Sequence, residues 1–463
     1  ILLSWVSYLS IASVSEPFLN FQWDALLLEV YLISIFFVPW RVFHNKNNIE
    51  SPSTIGRWLL WLLIMKLMLQ SGIVKFTFFD VDGSNAWRDL TALEYHFWTQ
   101  PIPSWLSYYF DMLPMVIDKI ALFFTYVCEL VIPFFILLPR KMRRIAGISL
   151  ILFQFLIILS GNYGFFNLLT IALCISLFDD QYLRKFNFDL VTDCKPFLKS
   201  HIIFKKIKRG LSFLVLILFV YSFVIFLGKD LEGNRLLSAG LNKKVSVLEQ
   251  KILDFSQTSR SINSYGLFRV MTKTRPEFKI ELQYEDSLWV PIDFNYKPNR
   301  IKKRPAFFFP HMPRVDWQIW FEALYYENLL SDPFLLSSYQ NFLSTMVSKD
   351  LKLSNISIDE FLSVKAKKIL KTLPPAERNS YLNRLSSSLN SYLGHSYWFA
   401  MFLSSLIDKE SSVFHNYRIK DNLDIIKMKV SLSHFTFNHD SKNSSNWWVK
   451  KDIEKSAFTI ELQ

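Results

Sequence analysis

Two lysines inside an apolar stretch are the residues whose type and position first suggest chemistry. Residues 57–75 read RWLLWLLIMKLMLQSGIVK, so Lys66 and Lys75 interrupt an otherwise largely hydrophobic segment. A charged side chain is costly inside a lipid bilayer, so each lysine needs an acidic partner or a wet cavity. We expect Lys66 to pair with Glu29 or Glu129, which lie deep in other apolar segments. These four residues form the predicted membrane polar cluster.

An acidic, aromatic-rich loop follows this segment and ends in a Pro-x-Pro turn. It contains His96 within the sequence LEYHFWTQPIP. The rings of Tyr and Trp settle at the membrane–water interface, and the same position suits a hydrogen-bonding histidine. We expect His96 to share a face with the lysine-bearing helix. The segment is typical of a membrane-embedded site with a lid on one side of the bilayer.

The composition favours a membrane protein with a second, water-soluble region. Of the 463 residues, 51% are hydrophobic and 17% aromatic, and the apolar runs crowd into the first half. The net charge is +12, and within the first half the basic residues lie mainly in short loops between these runs. That placement indicates membrane orientation rather than nucleic-acid binding. The three cysteines have no CxxC or Cys/His metal spacing, which does not favour a structural zinc site, and we expect no metal and no cofactor.

The apolar runs predict six or seven membrane spans, since a span needs about 20 apolar residues. The candidate segments are residues 1–14, 24–40, 58–78, 116–138, 145–160, 164–178 and 211–227. The chain has no initiator Met and begins within a hydrophobic run, so we expect its true N-terminus to be missing. Residues 1–228 are therefore predicted to be a multi-pass transmembrane domain.

The loops between the spans predict an orientation. Basic residues concentrate in three loops, at 41–57, 140–144 and 184–209, which alternate with three loops that contain only Arg88 as a lysine or arginine. Under the positive-inside rule the basic loops are cytoplasmic. The loop at 79–115 and everything after residue 228 are then lumenal or periplasmic.

Residues 229–463 are predicted to be an extramembrane α+β domain with a β-sandwich-like sheet and a helical insert. The sequence alternates apolar and polar residues over 278–296 and again near the end of the chain, as strands do. Residues 334–371 and 377–407 have a helical pattern and are separated by a Pro-Pro pair. No GxSxG, P-loop, HExxH or GxGxxG motif is present, so no standard catalytic site is indicated.

Several blocks resemble the lipase maturation factor family in sequence and in order. They are FQWDALLLEV (21–30), residues 57–75, WRDLTALEYHFWTQPIP (87–103), NSYGLFRVMTKTRPE (263–277), FNYKP (294–298) and PHMPRVDWQIWFEAL (310–324). The resemblance implies a multi-pass protein of the endoplasmic reticulum membrane that assists the folding or assembly of secreted homodimeric lipases. For a bacterial source, the membrane would be the inner one and the client another exported protein.

The same resemblance implies a binding protein without chemistry of its own, in contact with its client and with membrane lipids. The candidate client-binding residues lie in the last of these blocks and in the 263–277 block. They are Asn263, Tyr265, Arg269, His311, Arg314, Asp316, Trp317, Gln318, Trp320 and Phe321. Aromatic residues at helical spacing more often belong to a core, and that alternative stays open here.

A second, shorter resemblance supports an alternative. The run SGIVK followed by Trp87 is similar to a stretch of the vitamin K-dependent γ-carboxylase family. That likeness implies a membrane-embedded enzyme in which Lys75 acts as the base, with assistance from His96 or Glu129.

Overall fold

The computed structural model describes two compact units, taken separately below. The residues described are 1–40, 52–184, 202–234, 247–285, 288–348, 370, 374–417, 419, 424–440 and 445–462. Unit 1 comprises Ile1–Phe97, Leu106–Lys273 and Phe307–Met312, and unit 2 comprises Trp98–Trp105, Thr274–Ala306 and Pro313–Gln463. The division of the chain at residue 228 into a transmembrane and an extramembrane domain stays a prediction.

Unit 1 is helical. Its helices are α1 (Leu2–Val14), α2 (Gln22–Phe37), α3 (Thr54–Thr77), α4 (Ala92–Thr99, which ends in unit 2), α5 (Trp105–Asp111), α6 (Met115–Tyr126), α7 (Ile132–Phe135), α8 (Arg140–Ser160), α9 (Phe166–Ile175), α10 (Asp180–Leu183), α11 (Ile202–Glu232) and α12 (Val247–Ser259). A π-helical segment, Val127–Val131, joins α6 to α7.

Three of the described helices are long and apolar enough to cross a membrane. They are Thr54–Thr77, Arg140–Ser160 and Lys206–Glu232, the last being most of α11. They coincide with the predicted spans at 58–78, 145–160 and 211–227. The other predicted spans correspond to shorter helices, among them Leu2–Val14 and Phe166–Ile175. The count of six or seven spans stays a prediction.

The apolar surface of these helices explains where lipid would lie. Helix α3 is largely buried, whereas α8 and α11 leave large apolar side chains outside. Leu152 and Phe155 on α8 are each 52% exposed, and Val224 on α11 is 60% exposed. Apolar patches of this extent on a helical surface are typical of contact with another apolar phase. These helices give unit 1 the character of a membrane protein.

Helix α3 can approach α2 closely because of one glycine. The helix begins after Ser53, whose hydroxyl accepts a hydrogen bond from the Gly56 N–H. A Cβ atom at Gly56 would lie 2.4 Å from Cα of Phe37 at the end of α2. Any larger residue would force the two helices apart. The contact between Gly56 and Phe37 therefore sets how α2 and α3 are aligned along their axes.

Unit 2 is built on one four-stranded antiparallel sheet with helices beside it. The strands β1 (Pro276–Tyr284), β2 (Trp289–Pro291), β3 (Ile425–Phe437) and β4 (Trp448–Glu461) have the order β2-β1-β3-β4. The helices α13 (Arg314–Leu329), α14 (Pro333–Ser348), α15 (Pro375–His395), α16 (Tyr397–Ser405) and α17 (Ser412–Asn416) lie between β2 and β3 in sequence. The predicted helical insert is therefore confirmed where the structure describes it, and the predicted strands match β1 to β4. Residues 349–369 and 371 of the helix predicted at 334–371 lie outside the described residues.

The β-sandwich-like arrangement is wrong for the described residues, because helices rather than a second sheet cover the strands. Phe278 pairs with Leu432, and Ile280 with Val430, so alternate residues of β1 and β3 point the same way. Phe278 stacks on Phe399 of α16 with ring centroids 4.7 Å apart. The aromatic residues of the insert provide the cover that a second sheet would give.

Within this core, α13 carries a buried carboxyl group that makes stability depend on pH. Burial raises the pKa of Glu322 from its ordinary 4.5 to about 7, although the Tyr339 hydroxyl donates a hydrogen bond to it. The stabilising contribution of the protonated form is complete below about pH 4.5. It is lost as the pH rises through about 7, because the folded state must then ionise a buried acid.

We therefore expect Glu322→Gln to gain stability over the wild type by about 3 kcal/mol between pH 4.5 and pH 8. Glutamine imitates the protonated acid and keeps the acceptor for Tyr339. Urea unfolding of both proteins in detergent at the two pH values measures the change in this difference. A difference that does not vary with pH would show that Glu322 does not titrate as described.

Candidate functional site

Lys66 and Glu29 form a buried ion pair between α3 and α2. The Lys66 Nζ lies 2.7 Å from Glu29 Oε1, and the two side chains are 0 and 1% exposed. The second carboxylate oxygen of Glu29 accepts a hydrogen bond from the Tyr265 hydroxyl at 2.5 Å and one from the Asn263 backbone N–H at 3.3 Å. Of the two partners predicted for Lys66, the structure has Glu29.

These contacts correct two of the candidate client-binding residues. Tyr265 is 1% exposed, and its hydroxyl is engaged by Glu29 inside unit 1. The Asn263 side chain donates to the backbone oxygens of Ala25 and Arg260. The Tyr265 hydroxyl and the Asn263 backbone N–H donate to Glu29 the hydrogen bonds that water would otherwise supply. Both residues therefore act in the interior rather than on a client surface.

Lys75 forms a second buried ion pair, with Glu129 of the π-helical segment. Its Nζ lies 2.7 and 2.8 Å from the two carboxylate oxygens and 3.0 Å from the backbone oxygen of Ser71. The ring of Trp87 lies 4.9 Å from the same atom. A π-helical turn widens the helix locally and is frequent at functional sites.

The two pairs occupy opposite sides of α3 rather than one cluster. Nine residues separate the two lysines, which at about 100° per residue turns them half a revolution apart and about 14 Å along the axis. Lys66 faces α2 and lies 5.0 Å from the ring of Phe219 on α11, whereas Lys75 faces the π-helical segment. The predicted polar cluster is therefore two independent pairs.

A further polar contact lies one turn after Lys66 and was not predicted. Gln70 donates to the Asp230 carboxylate of α11 at 2.8 Å, and its own oxygen accepts from the Tyr265 N–H at 3.3 Å. The spacing of four residues from Lys66 could have indicated it, because side chains four apart share a helix face. This face of α3 thus fixes α2, α11 and residues 263–265 to one another.

On its other face, α3 borders a cavity of about 340 Å³ within unit 1. Its lining is mostly apolar, with a few polar groups that include Lys75, His96, Asp118, Glu129, Gln154, Tyr163 and Asn167. The predicted proximity of His96 to the lysine-bearing helix is thus found. This volume and lining are in the range of small-molecule sites.

His96 is held at the cavity wall by Tyr163. The His96 Nε2 and the Tyr163 hydroxyl are 2.8 Å apart, and the imidazole is 8% exposed. Burial, with the charge of Lys75 as a smaller cause, lowers the pKa of His96 to about 4. The ring is therefore neutral at neutral pH, and its other nitrogen, Nδ1, has no hydrogen-bond partner in the described chain.

The contacts of Lys75 do not support its role as a base. A general base needs a free lone pair within reach of the proton that it removes. Three acceptors surround the Lys75 Nζ, which is the arrangement of an ammonium group that donates all its hydrogens. The geometry assigns Lys75 and Glu129 to an ion pair.

Unit 2 contains a buried charge cluster that the sequence patterns did not predict. Glu277 on β1 lies 2.7 Å from an Arg275 guanidinium nitrogen and 2.7 Å from the Lys297 Nζ, and all three side chains are at most 1% exposed. Asp316 of α13 interacts electrostatically with Lys297 and is 5% exposed. Burial lowers the pKa values of Arg275 and Lys297 and raises the pKa of Asp316 to about 6.

Arg275 also ties the Pro-x-Pro loop to the sheet. Its guanidinium donates to the backbone oxygens of Trp98, Gln100 and Pro101, at 2.9 Å for Trp98 and 2.8 Å for Pro101. The four charged residues and the loop come from separate sequence blocks, at 87–103, 263–277, 294–298 and 310–324. Each of these blocks carries the family resemblance, so the charged residues within the last three of them were the available signal.

The remaining candidate client-binding residues divide into interior and surface groups. Asp316, Trp317, Gln318 and Trp320 are buried, between 3 and 7% exposed, so their side chains pack inside unit 2. Helical spacing correctly predicted the helix α13. The tryptophans proposed for client binding, however, lie on its buried face. In unit 2, Phe321 is 39% exposed and Arg314 is partly buried. In unit 1, Arg269 and His311 are exposed.

Comparison with known proteins gives this chain a family. Residues 1–185 match the family model of the lipase maturation factor transmembrane domain, and residues 261–357 match that of the lipase maturation factor C-terminal domain. No solved structure matches the chain.

Curated relatives agree with these matches. Lipase maturation factor 2 of Gallus gallus is 30% identical over 446 residues, which cover 77% of this chain and 60% of the relative. Lipase maturation factor 2 of Xenopus laevis is 31% identical over 415 residues, covering 70% and 57%. Lipase maturation factor 1 of Mus musculus is 29% identical over 343 residues, covering 69% and 55%. The chain thus spans somewhat less than two thirds of each relative, and it belongs to the lipase maturation factor family.

Proposed function

We propose that this protein is a membrane-anchored maturation factor that assists the folding or assembly of secreted proteins, of which lipases are the expected clients. The observation that carries the proposal is the family match across both units, together with relatives named lipase maturation factor. A maturation factor needs an anchor and a client-binding region. The apolar helices of unit 1 suit the first role, and the sheet and helices of unit 2 suit the second.

The charge distribution supports a lumenal position for unit 2 in the endoplasmic reticulum, or a periplasmic one in a bacterium. Basic residues lie at the start of α8 and of the span within α11, and the 79–115 loop contains few of them. The positive-inside rule then gives the C-terminal region the side on which exported proteins fold. A client would meet unit 2 there as it emerges from translocation.

The proposed client contact is a stripe on α13. Arg314, Phe321 and Asn328 are seven residues apart, and seven residues bring a helix back to within about 20° of the same direction. Phe321 offers a large apolar group at the surface, and aromatic and arginine side chains are enriched where proteins bind each other. Arg314 and Phe321 of this stripe belong to the predicted client-binding set, and both keep part of their surface accessible.

We expect Phe321→Ala to reduce the capture of a newly made lipase by the tagged protein at least about fivefold, a loss of about 1 kcal/mol of binding free energy. Val449→Ala on β4 is the matched control, because Val449 is 49% exposed and apolar but lies outside the stripe. Crosslinking followed by quantification of the captured lipase measures both. Equal capture by Phe321→Ala and Val449→Ala would remove α13 from the client contact.

A further inference from the structure

Two polar atoms in the wall of the unit 1 cavity are unsatisfied. His96 Nδ1 and Asn167 Oδ1 are buried and have no hydrogen-bond partner in the part of the chain described. The other polar ends of these side chains are used: His96 Nε2 contacts Tyr163, and Asn167 Nδ2 donates to Gln154 Oε1 at 2.8 Å. Both residues are more than nine-tenths buried and line the same cavity. An unsatisfied buried polar atom is unfavourable, so a bound group that hydrogen-bonds to it is favoured.

Most of the remaining lining is apolar and is continuous with the outer surface of unit 1. Phe97, Phe110, Phe124, Phe153, Phe166 and Phe268 form much of the wall. Leu113, Ile117 and Leu156 line the cavity and are also 38, 44 and 44% exposed on the outside. A hydrocarbon chain can therefore pass from the surrounding apolar phase into the cavity without crossing a polar barrier.

The charges of the lining exclude an anionic headgroup as the preferred ligand. Lys75 is neutralised by Glu129, and the third charged residue described in the wall is the acidic Asp118. His96 is neutral at physiological pH. A carboxylate or phosphate would meet no unpaired cation among these lining residues, whereas burying an unpaired anion is expensive.

From these three features we propose that the cavity of unit 1 binds a neutral lipid with a hydroxyl-bearing headgroup. The acyl or similar hydrocarbon chain lies against the phenylalanines, and the headgroup hydroxyls hydrogen-bond to His96 Nδ1 and Asn167 Oδ1. A hydroxyl suits both atoms because it can donate to the amide oxygen and can donate to or accept from the imidazole. A ketone or ester lacks the donor that Asn167 requires.

Photocrosslinking of the full chain in phospholipid nanodiscs tests this site. The probes are a diazirine-labelled monoacylglycerol, the fatty acid with the same chain, and its methyl ester. We expect saturable labelling by the monoacylglycerol within residues 93–125 or 153–168, and at least about tenfold weaker apparent affinity for the acid and the ester. Equal labelling by the three probes, or labelling by the monoacylglycerol outside these residues only, would overturn the proposal.

Two variants test the site independently, one through its hydrogen bond and one through its volume. His96→Phe removes the hydrogen-bonding nitrogen and is expected to weaken monoacylglycerol binding about tenfold, whereas His415→Phe, an exposed histidine of unit 2, should leave it unchanged. Ala121→Trp fills the cavity from α6 and leaves the histidine in the sequence, and it should abolish saturable labelling. If His96→Phe fails to fold, Ala121→Trp decides the matter. Undiminished binding in a folded Ala121→Trp protein would place the lipid elsewhere.

Discussion

Replacement of Glu277 by glutamine is expected to destabilise unit 2 by about 3–5 kcal/mol, the largest single effect in that unit. Glu277 is the anion between Arg275 and Lys297, at 2.7 Å from each, and the three side chains are at most 1% exposed. The variant keeps the size of the side chain but leaves two cations buried without the carboxylate that contacts both of them, while Asp316 still interacts electrostatically with Lys297. Removing one member of a buried pair costs far more than the pair itself contributes.

Glu281→Gln on the same strand is the matched control. Glu281 pairs with Lys279 at 2.7 Å, but the lysine side chain is 39% exposed. Water screens such a pair, so its loss should cost at most about 1 kcal/mol. Urea unfolding followed by proteolysis of unit 2 measures both variants. If Glu277→Gln costs no more than Glu281→Gln, the cluster does not hold the sheet, the Pro-x-Pro loop and α13 together.

Replacement of Lys75 by methionine is expected to cost unit 1 about 3–5 kcal/mol and to lower the amount of protein in the membrane sharply. The Glu129 carboxylate then loses the cation that contacts both of its oxygens, in surroundings that offer it little water. The double variant Lys75→Met, Glu129→Leu should recover most of the loss, because two apolar side chains of similar size pack together and leave no buried charge unpaired. Recovery appears as a coupling energy of about 2 kcal/mol or more in a double-mutant cycle.

The Lys66–Glu29 pair provides the comparison for this cycle. The corresponding double variant Lys66→Met, Glu29→Leu should stay destabilised, because the Tyr265 hydroxyl and the Asn263 N–H would lose their shared acceptor. Membrane levels and thermal unfolding in detergent measure both cycles. Equal recovery of the two double variants would contradict the account in which one pair is isolated and the other is part of a network.

The sequence predicted what depends on composition and local pattern. Hydropathy located the long apolar helices that contain Lys75 and Leu214. A run of about 20 mostly apolar residues indicates a membrane-spanning helix at any position in the chain. Alternation located the strands that carry Phe278 and Val430. The choice between one sheet and two could not be made this way, since a helix and a second sheet both bury the same alternate residues.

The site was predicted less completely, because its residues meet only in three dimensions. The cost of charge in lipid required partners for the two lysines, yet helix phase alone could not decide which carboxylate reached which lysine. Trp317 and Trp320 have the spacing of a helix, and spacing does not distinguish the buried face from the exposed one. Arg275, Glu277 and Lys297 lie in ordinary polar sequence, and only the folded sheet brings them together.

We propose that this protein matures exported lipases and that its Lys75–Glu129 ion pair is structural rather than catalytic. The direct measurement is the activity per molecule of a homodimeric lipase secreted by cells that lack the protein. These cells receive either the wild type or the double variant Lys75→Met, Glu129→Leu at equal membrane levels. We predict that both proteins restore lipase activity to the same extent. Restoration by the wild type alone would make the Lys75–Glu129 pair a catalytic site, and restoration by neither would contradict the maturation role.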